Sequence, residues 1–177
     1  MAEQNLVTVA SGLAAMGNIP FAASYAAFSP GRNWEQIRTT ICLNNQPVKL
    51  VGSHAGLNVG ADGATHQMLE DIALMRSLPN MVVLAPGDAY EAEMMAAVMA
   101  ADSRPNYVRL PRADMTLFLD GEVAIGRASV LRQGTDVALL GTGTMTYQLL
   151  MAAEQLAHAG VQAEVVHFST IKPLDEV

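Results

Sequence analysis

The sequence has a single cysteine among its 177 residues, and its basic side chains are outnumbered, 10 Lys and Arg against 17 Asp and Glu. One cysteine excludes an intrachain disulfide, and Cys42, set in the apolar run Ile41-Cys42-Leu43, reads as a buried, inert thiol. A net charge of -7 argues against nucleic-acid backbone binding as the main activity, because phosphates in a chain require a basic face. It leaves room for a small phosphorylated ligand, which needs only a few local cations. Long hydrophobic runs are missing too: Met94–Ala101 is closed off by Glu93 and Asp102 and is far too short to span a bilayer. The opening Met1-Ala2-Glu3-Gln4-Asn5 has no basic segment leading into an apolar core, so nothing reads as a signal peptide. The expectation is a soluble, cytoplasmic protein whose partners include neither nucleic acid nor membrane.

What is present is a composition rich enough in apolar residues, 51% with only 15% charged, to bury a core rather than remain disordered. Helical and strand-like segments alternate. Leu6–Met16 reads as a small-residue helix stopped near Gly17, Pro20–Ala26 as a strand, and Trp34–Cys42 as a helix ended by Asn44-Asn45. Pro47–Gly52 is β-rich. Thr65 looks like the cap of a helix running to about Arg76, and Met81–Ala85 is a continuous apolar run suited to a strand covered on both faces. A helix over Ala89–Ala101 and a strand over Tyr107–Leu110 follow. This order predicts an α/β fold with a largely parallel sheet flanked by helices.

Between Asp114 and Gly134 the periodic signals fade. Beyond them Asp136–Gly141, Met145–Ala159 and Val161–Phe168 form one strand–helix–strand unit. The chain stops at Lys172-Pro173-Leu174-Asp175-Glu176-Val177, where another helix is expected to begin, and a lone two-stranded unit suggests a cut C-terminus. We place a first domain at residues 1–118 and a partial second α/β domain at 119–177. The Gly141-Thr142-Gly143 turn lacks the third glycine and the distant acidic residue of a dinucleotide fingerprint, and is discarded as one.

The loop from Ser53 to Gln67 is chemically the richest stretch. Gly56, Gly60 and Gly63 permit positive φ and close approach of backbone to a ligand, and His54, Asp62 and His66 lie among them. Histidine suits proton traffic near neutral pH, and a helix N-terminus following the loop favours anions. The same composition also describes an ordinary turn-rich surface loop whose histidines satisfy local backbone groups.

Gly60-Ala61-Asp62-Gly63-Ala64-Thr65-His66-Gln67, continuing to Glu70, resembles the signature of transketolases and their relatives. Met1-Ala2-Glu3-Gln4-Asn5 is similar to the end of that family's Gly-Ile-Ala-Glu-Gln-Asn motif. The run from Ser29-Pro30-Gly31-Arg32-Asn33 to Arg38 resembles the separately encoded C-terminal subunits of bacterial transketolases. The resemblance covers nearly the whole chain, with the motifs in the family's order. It implies the pyrimidine-binding domain fold of thiamine-diphosphate enzymes, without its first strand–helix unit, followed by the start of the family's C-terminal domain.

Roles follow from the resemblance residue by residue. Glu3 matches the glutamate that contacts N1′ of the cofactor's aminopyrimidine, a task suited to a carboxyl whose pKa is raised by apolar surroundings; from the residue alone it could equally be an exposed acid near a frayed terminus. Tyr25 and Phe28 match aromatics that pack on the pyrimidine, or else share a buried face. Gly31 stands where the third aromatic often occurs. His54 and His66 match histidines facing the substrate's reacting end, and Asp62 an aspartate that binds a hydroxyl there. Arg112 matches the arginine that holds a phosphate or terminal oxygen, with a rim salt bridge to Asp114 as its plainer alternative. Glu70 and Asp71 are placed to favour a helix dipole, and Glu70 also matches a subunit-interface carboxylate.

The cofactor implied is thiamine diphosphate. No Gly-Asp-Gly…Asn motif for magnesium and the diphosphate is found in the sequence, so Mg2+ is expected on a partner domain. The implied partners are a sugar-phosphate substrate, further copies of the chain, and a diphosphate-binding N-terminal subunit. An exposed sheet edge and an apolar helix face are expected where the first strand–helix unit would pack. Two other readings stay open: a fragment similar to 1-deoxyxylulose-5-phosphate synthase, and a catalytically silent dimerisation module.

Overall fold

The computed structural model describes residues 2–176; Met1 and Val177, the outermost residues of the Met1–Asn5 and Lys172–Val177 runs, lie outside the described residues. Helix α1 (Glu3–Ala15) starts three residues before the expected Leu6 and turns Val7, Ala10 and Ala14 inward. Its last turn ends at Gly17, whose φ of +87° takes the left-handed conformation a helix stop favours. Strand β1 (Phe21–Tyr25) leaves that turn. Helix α2 (Trp34–Gln36) widens at once into a π-helical stretch, Ile37–Cys42, rather than running on as an α-helix. Thr39 and Thr40 explain the change: their hydroxyls donate back to the Glu35 and Gln36 carbonyls, loosening the regular ladder.

Strand β2 (Lys49–Ser53), helix α3 (Asp71–Arg76), strand β3 (Val82–Leu84), helix α4 (Ala89–Ala101) and strand β4 (Asn106–Arg109) complete the first unit. Its sheet runs β1-β2-β4-β3, all parallel. The fold is the α/β class expected. Ile37, Ile41, Leu50, Met75, Val83 and Tyr107 form the core between α1, the π-helical stretch and the sheet, each at most 1% exposed. Burial of each aliphatic side chain contributes about 1.5–3 kcal/mol. Cys42 lies in the same core, and burial pushes its thiol up to about 12.

Among the described residues β1 is paired on one side only, to β2. The outward face of α1 carries Leu6, Val9, Leu13 and Met16, the last 82% exposed, and Phe21 on β1 is exposed nearby. The open edge and apolar helix face expected from the sequence are both present.

The second unit comprises β5 (Ser129–Arg132), β6 (Val137–Gly141), α5 (Met145–His158) and β7 (Ala163–His167). Two expectations need correction. The unit has three strands in the order β5-β7-β6, since β5 pairs antiparallel with β7 within a segment of weak periodicity. The chain after β7 does not begin a helix. It forms β8 (Thr170–Lys172), which crosses to the first sheet and pairs antiparallel with β3. Lys172 anchors it there by donating from Nζ to the carbonyls of Arg76 and Leu78, at the end of α3.

The two units are joined by buried polar contacts. Asp88 caps α4 by accepting from the Glu91 N–H, and also accepts from the N–H groups of Phe118 and Leu119 in the connecting segment. Glu91 Oε2 lies 2.8 Å from His167 Nε2 on β7, and His167 Nδ1 lies 2.7 Å from Thr146 Oγ1 on α5.

Candidate functional site

The carboxyl ends of the parallel strands bring most of the candidate side chains together, where open α/β sheets place their ligand sites. Tyr25 closes β1, and His54 follows β2 with a left-handed φ of +56°. Such a backbone is costly for a non-glycine residue and is held by its surroundings. It lays the imidazole on the Tyr25 ring, centroids 3.9 Å apart and planes 15° from parallel. Phe28 lies parallel to Tyr25 at 6.4 Å, and His66 meets both rings edge-on, at 6.0 Å and 5.2 Å. All four side chains are half-buried. They form neither a sealed core nor a scattered surface loop, but a ring platform that a flat heterocycle could join.

His66 reaches this platform because the helix starts later than expected. Gly63–Thr65 is a 3-10 turn, and α3 begins only at Asp71. Thr65 does not cap a helix: its hydroxyl donates to the Asp62 carbonyl and lies 2.8 Å from His66 Nδ1. The Gly56 N–H donates to the Met68 carbonyl at 2.8 Å, closing the loop at its neck. Asp71 opens α3 as its first-turn acid, as expected, and has further partners. Fully buried, it accepts from the Tyr107 hydroxyl at 2.8 Å and from Arg109 Nε at 2.9 Å. Burial and the adjacent Asp71 carboxylate push the Tyr107 hydroxyl well above its ordinary range.

Glu3 is buried at the start of α1, not exposed at a frayed end. Its carboxylate accepts from Arg32 Nη1 at 3.1 Å, and the Arg32 guanidinium lies 4.9 Å from the centre of the Phe28 ring. Glu3 thus connects to the platform through Arg32. The expected raised pKa is corrected: the Glu3 carboxyl is held below its ordinary value. Its own backbone N–H is the largest cause; burial opposes this, and the α-amino charge and Arg32 lower the pKa further.

Asp62 is exposed in the loop, and no hydrogen bond or ring contact among the described residues joins its carboxylate to the platform. Arg112 is exposed and crosses behind the loop, donating from Nη1 to the Val59 carbonyl at 3.4 Å. A Cβ on Gly60 would lie 1.7 Å from that nitrogen. No ion pair links Arg112 to Asp114 among the described residues. Both instead line an open groove of about 490 Å3, with Asp88, Leu110 and Thr144, to which none of the four platform rings contributes. Glu70 is exposed and accepts from the Leu69 N–H.

Gly31 has a steric explanation, since a Cβ there would come within 2.0 Å of the Ala27 carbonyl oxygen, and the next residue, Arg32, covers Phe28 instead. Neither Arg32 nor Arg109 was among the residues expected at the site. Arg32 lies within the Ser29–Arg38 run; Arg109 carried no local signal, because its partner Asp71 is 38 residues away.

A parallel sheet flanked by helices, with a half-open ring platform at its carboxyl edge, makes this an α/β protein of the kind that places such clusters beyond its strand ends. Comparison makes this specific: residues 1–116 match the transketolase pyrimidine binding domain and residues 126–177 the transketolase C-terminal domain. The chain belongs to the transketolase family. It is 44% identical over 180 residues to a Methanocaldococcus jannaschii protein described as a transketolase C-terminal section, covering 99% of this chain and 57% of that one. It is 41% identical to the 1-deoxy-D-xylulose-5-phosphate synthase of Trichormus variabilis, over 99% of this chain and 28% of the enzyme. A solved split-gene transketolase, described as an inactive beta4 tetramer, superposes with a TM-score of 0.92 at 41% identity, covering 99% of this chain and 56% of that one. The chain thus spans little more than half the length of its similar C-terminal-section relatives. No described helix is long and apolar enough to cross a membrane.

Proposed function

We propose that this chain is the aminopyrimidine- and substrate-binding part of a thiamine-diphosphate-dependent transketolase, cytoplasmic, completed by a diphosphate-binding N-terminal subunit and by further copies of itself. The observation that carries the reading is the platform of Tyr25, Phe28, His54 and His66, with Glu3 reached through Arg32. The residues suit the cofactor's pyrimidine in kind: half-open aromatic faces for a flat heterocycle, and one carboxylate to meet a ring nitrogen. When bound, the cofactor supplies the carbanion chemistry of two-carbon ketol transfer. Residues 1–118 form the pyrimidine-binding domain in this proposal and residues 119–177 part of the C-terminal domain, while Mg2+ is held by the partner.

Each residue then has its task. Tyr25 and Phe28 hold the pyrimidine by stacking, and Glu3 shares a proton with its ring nitrogen. His54 and His66 take positions from which an imidazole can accept or donate a proton at a substrate hydroxyl. Asp62 binds a second hydroxyl once the partner brings substrate against the exposed loop. Arg112, in the open groove, holds the phosphate end by its fork. The likeness to an inactive tetramer of a split-gene relative supports the expectation that this chain alone does not turn over.

A second reading, a part of a 1-deoxyxylulose-5-phosphate synthase, is favoured by the Trichormus variabilis relative. His54 and the Pro30–Asn33 run favour transketolase over it. A catalytically silent dimerisation module is the third. The deciding experiment measures ketol transfer from xylulose 5-phosphate by the chain alone and mixed with a diphosphate-binding transketolase subunit, with thiamine diphosphate and Mg2+ present. Activity only in the mixture supports the proposal. Turnover by the chain alone, or no activity and no cofactor binding in either case, contradicts it.

A further inference from the structure

Two consecutive residues of the Ser29–Asn33 turn grip Glu3. Asn33, fully buried, donates from Nδ2 to the Glu3 backbone carbonyl at 2.9 Å and to Ser29 Oγ at 3.1 Å. That bond fixes the first turn of α1 against the turn after β1. Arg32 points the other way, toward solvent, with its side chain 48% exposed, while the Glu3 side chain it meets is 5% exposed. Among the described residues the guanidinium meets groups of two kinds: the carboxylate at 3.1 Å and the Phe28 ring, 4.9 Å away at its centre.

An exposed ion pair alone would define little, because two long side chains in water exchange partners freely. Here one partner is an almost fully buried carboxylate on a helix start, and the cation also rests on a ring that packs edge-on with His66. A planar guanidinium can do both at once; a lysine ammonium lacks the plane and the fork. Gly31 shapes the approach, because a side chain there would strike the Ala27 carbonyl.

We propose that Arg32 is the positioning residue for Glu3: resting on Phe28, its guanidinium aims the Glu3 carboxylate at the ring platform and keeps it paired there. The proposal rests on the reading above, in which Glu3 meets the cofactor's pyrimidine. A carboxylate stabilised by a neighbouring cation yields a shared proton to a basic partner more readily. Arg32 would therefore bias such a proton toward the heterocycle's nitrogen while acting only through Glu3. The lowered proton affinity of Glu3 agrees with this, although the residue's own N–H is the larger cause. Among the described residues, Arg32 is the charged side chain that the structure pairs with Glu3; the α-amino charge acts on it as well.

The test is a carbon-13 NMR titration of the Glu3 side-chain carboxyl in the full chain, assigned by its loss in Glu3→Gln. All variants carry the same amino terminus. In Arg32→Met the Glu3 midpoint is expected to shift upward, and in Arg32→Lys to fall between the wild type and Arg32→Met. Reciprocally, the Arg32 side-chain protons, displaced by the Phe28 ring current in the wild type, are expected to move toward unstructured values in Glu3→Gln. An unchanged Glu3 midpoint in both Arg32 variants overturns the proposal. So does an Arg32 ring-current displacement that survives Glu3→Gln. Should Arg32→Met fail to fold, Arg32→Lys decides by the same criterion. Thiamine is then added to the wild-type chain as the aminopyrimidine probe. Absence of shifts at Tyr25 and Phe28 counts against the functional reading, and the titration judges Arg32 independently of that result.

Discussion

The Arg109 guanidinium meets the fully buried carboxylate of Asp71 at 2.9 Å, pinning the start of α3 to the end of β4. The same arginine reaches toward the Met68 carbonyl at 3.5 Å and lies against Gly56, so it braces both sides of the loop neck that carries His54 and His66. Asp71→Ala leaves Arg109 and the buried Tyr107 hydroxyl without their acceptor and should cost about 3–5 kcal/mol. Tyr107→Phe removes one bond to that carboxylate and should cost about 1.5–3 kcal/mol. Denaturant unfolding measures both. The double variant should lose less than the sum, because the two changes remove one shared interaction.

Lys49 is the second buried charge to test. Its Nζ donates to the carbonyls of Asp102 and Arg104 and to Asn106 Oδ1, at 2.6 to 2.8 Å, with the residue fully buried. Lys49→Met strands three acceptors, and unfolding should show a loss of about 2–4 kcal/mol at pH 7. Burial pulls the amine down to about 8 from an ordinary 10.5. Between those values the unfolded chain holds a proton that the folded chain has released. The wild type should therefore gain stability relative to Lys49→Met as pH rises from 8 towards 10.5.

Glu3 gives the opposite pH signature. Its carboxyl is held below the ordinary 4.5, chiefly by its own backbone N–H, so the ionised group favours the folded state. That contribution is fully present above the unfolded value and is lost as pH falls through the lower folded one. The stability difference between wild type and Glu3→Gln should be constant above pH 4.5 and shrink below it. A difference that grows on acidification would show a raised carboxyl instead.

Much of the fold was legible because strand and helix signals there are local. The apolar run around Val82–Leu84 and the capped run Ala89–Ala101 needed no distant information. β5 and β8 were missed because each is defined by its partner: β5 by β7, and β8 by β3, far back in the chain. At the site, the family motifs singled out Tyr25, Phe28, His54 and His66, but not that their rings pack together, nor how they are linked. That Arg32 would join Glu3 to Phe28 depends on how the turn after β1 folds back over the start of α1. The late start of α3 likewise reflects the Gly56–Met68 closure and the Asp71 network, which outweigh the local capping signal of Thr65.

The loop carries its own test in Gly60, whose φ is +88° and whose missing Cβ makes room for Arg112 Nη1. Gly60→Ala should destabilise the chain by about 1 kcal/mol from backbone strain alone, with more from the clash. In an Arg112→Ala background only the strain should remain, so the penalty should be smaller. Equal penalties in the two backgrounds would mean that Arg112 does not lie over the loop.

The central claim, that the platform binds the cofactor's pyrimidine, is tested most directly by calorimetry. Thiamine diphosphate and Mg2+ are titrated into a diphosphate-binding transketolase subunit alone, with this chain, and with its Tyr25→Ala/Phe28→Ala variant. The prediction is saturable binding that requires this chain and weakens at least about tenfold, or 1.4 kcal/mol, in the variant. An affinity that is the same with the wild-type chain, with the variant and without either would contradict it.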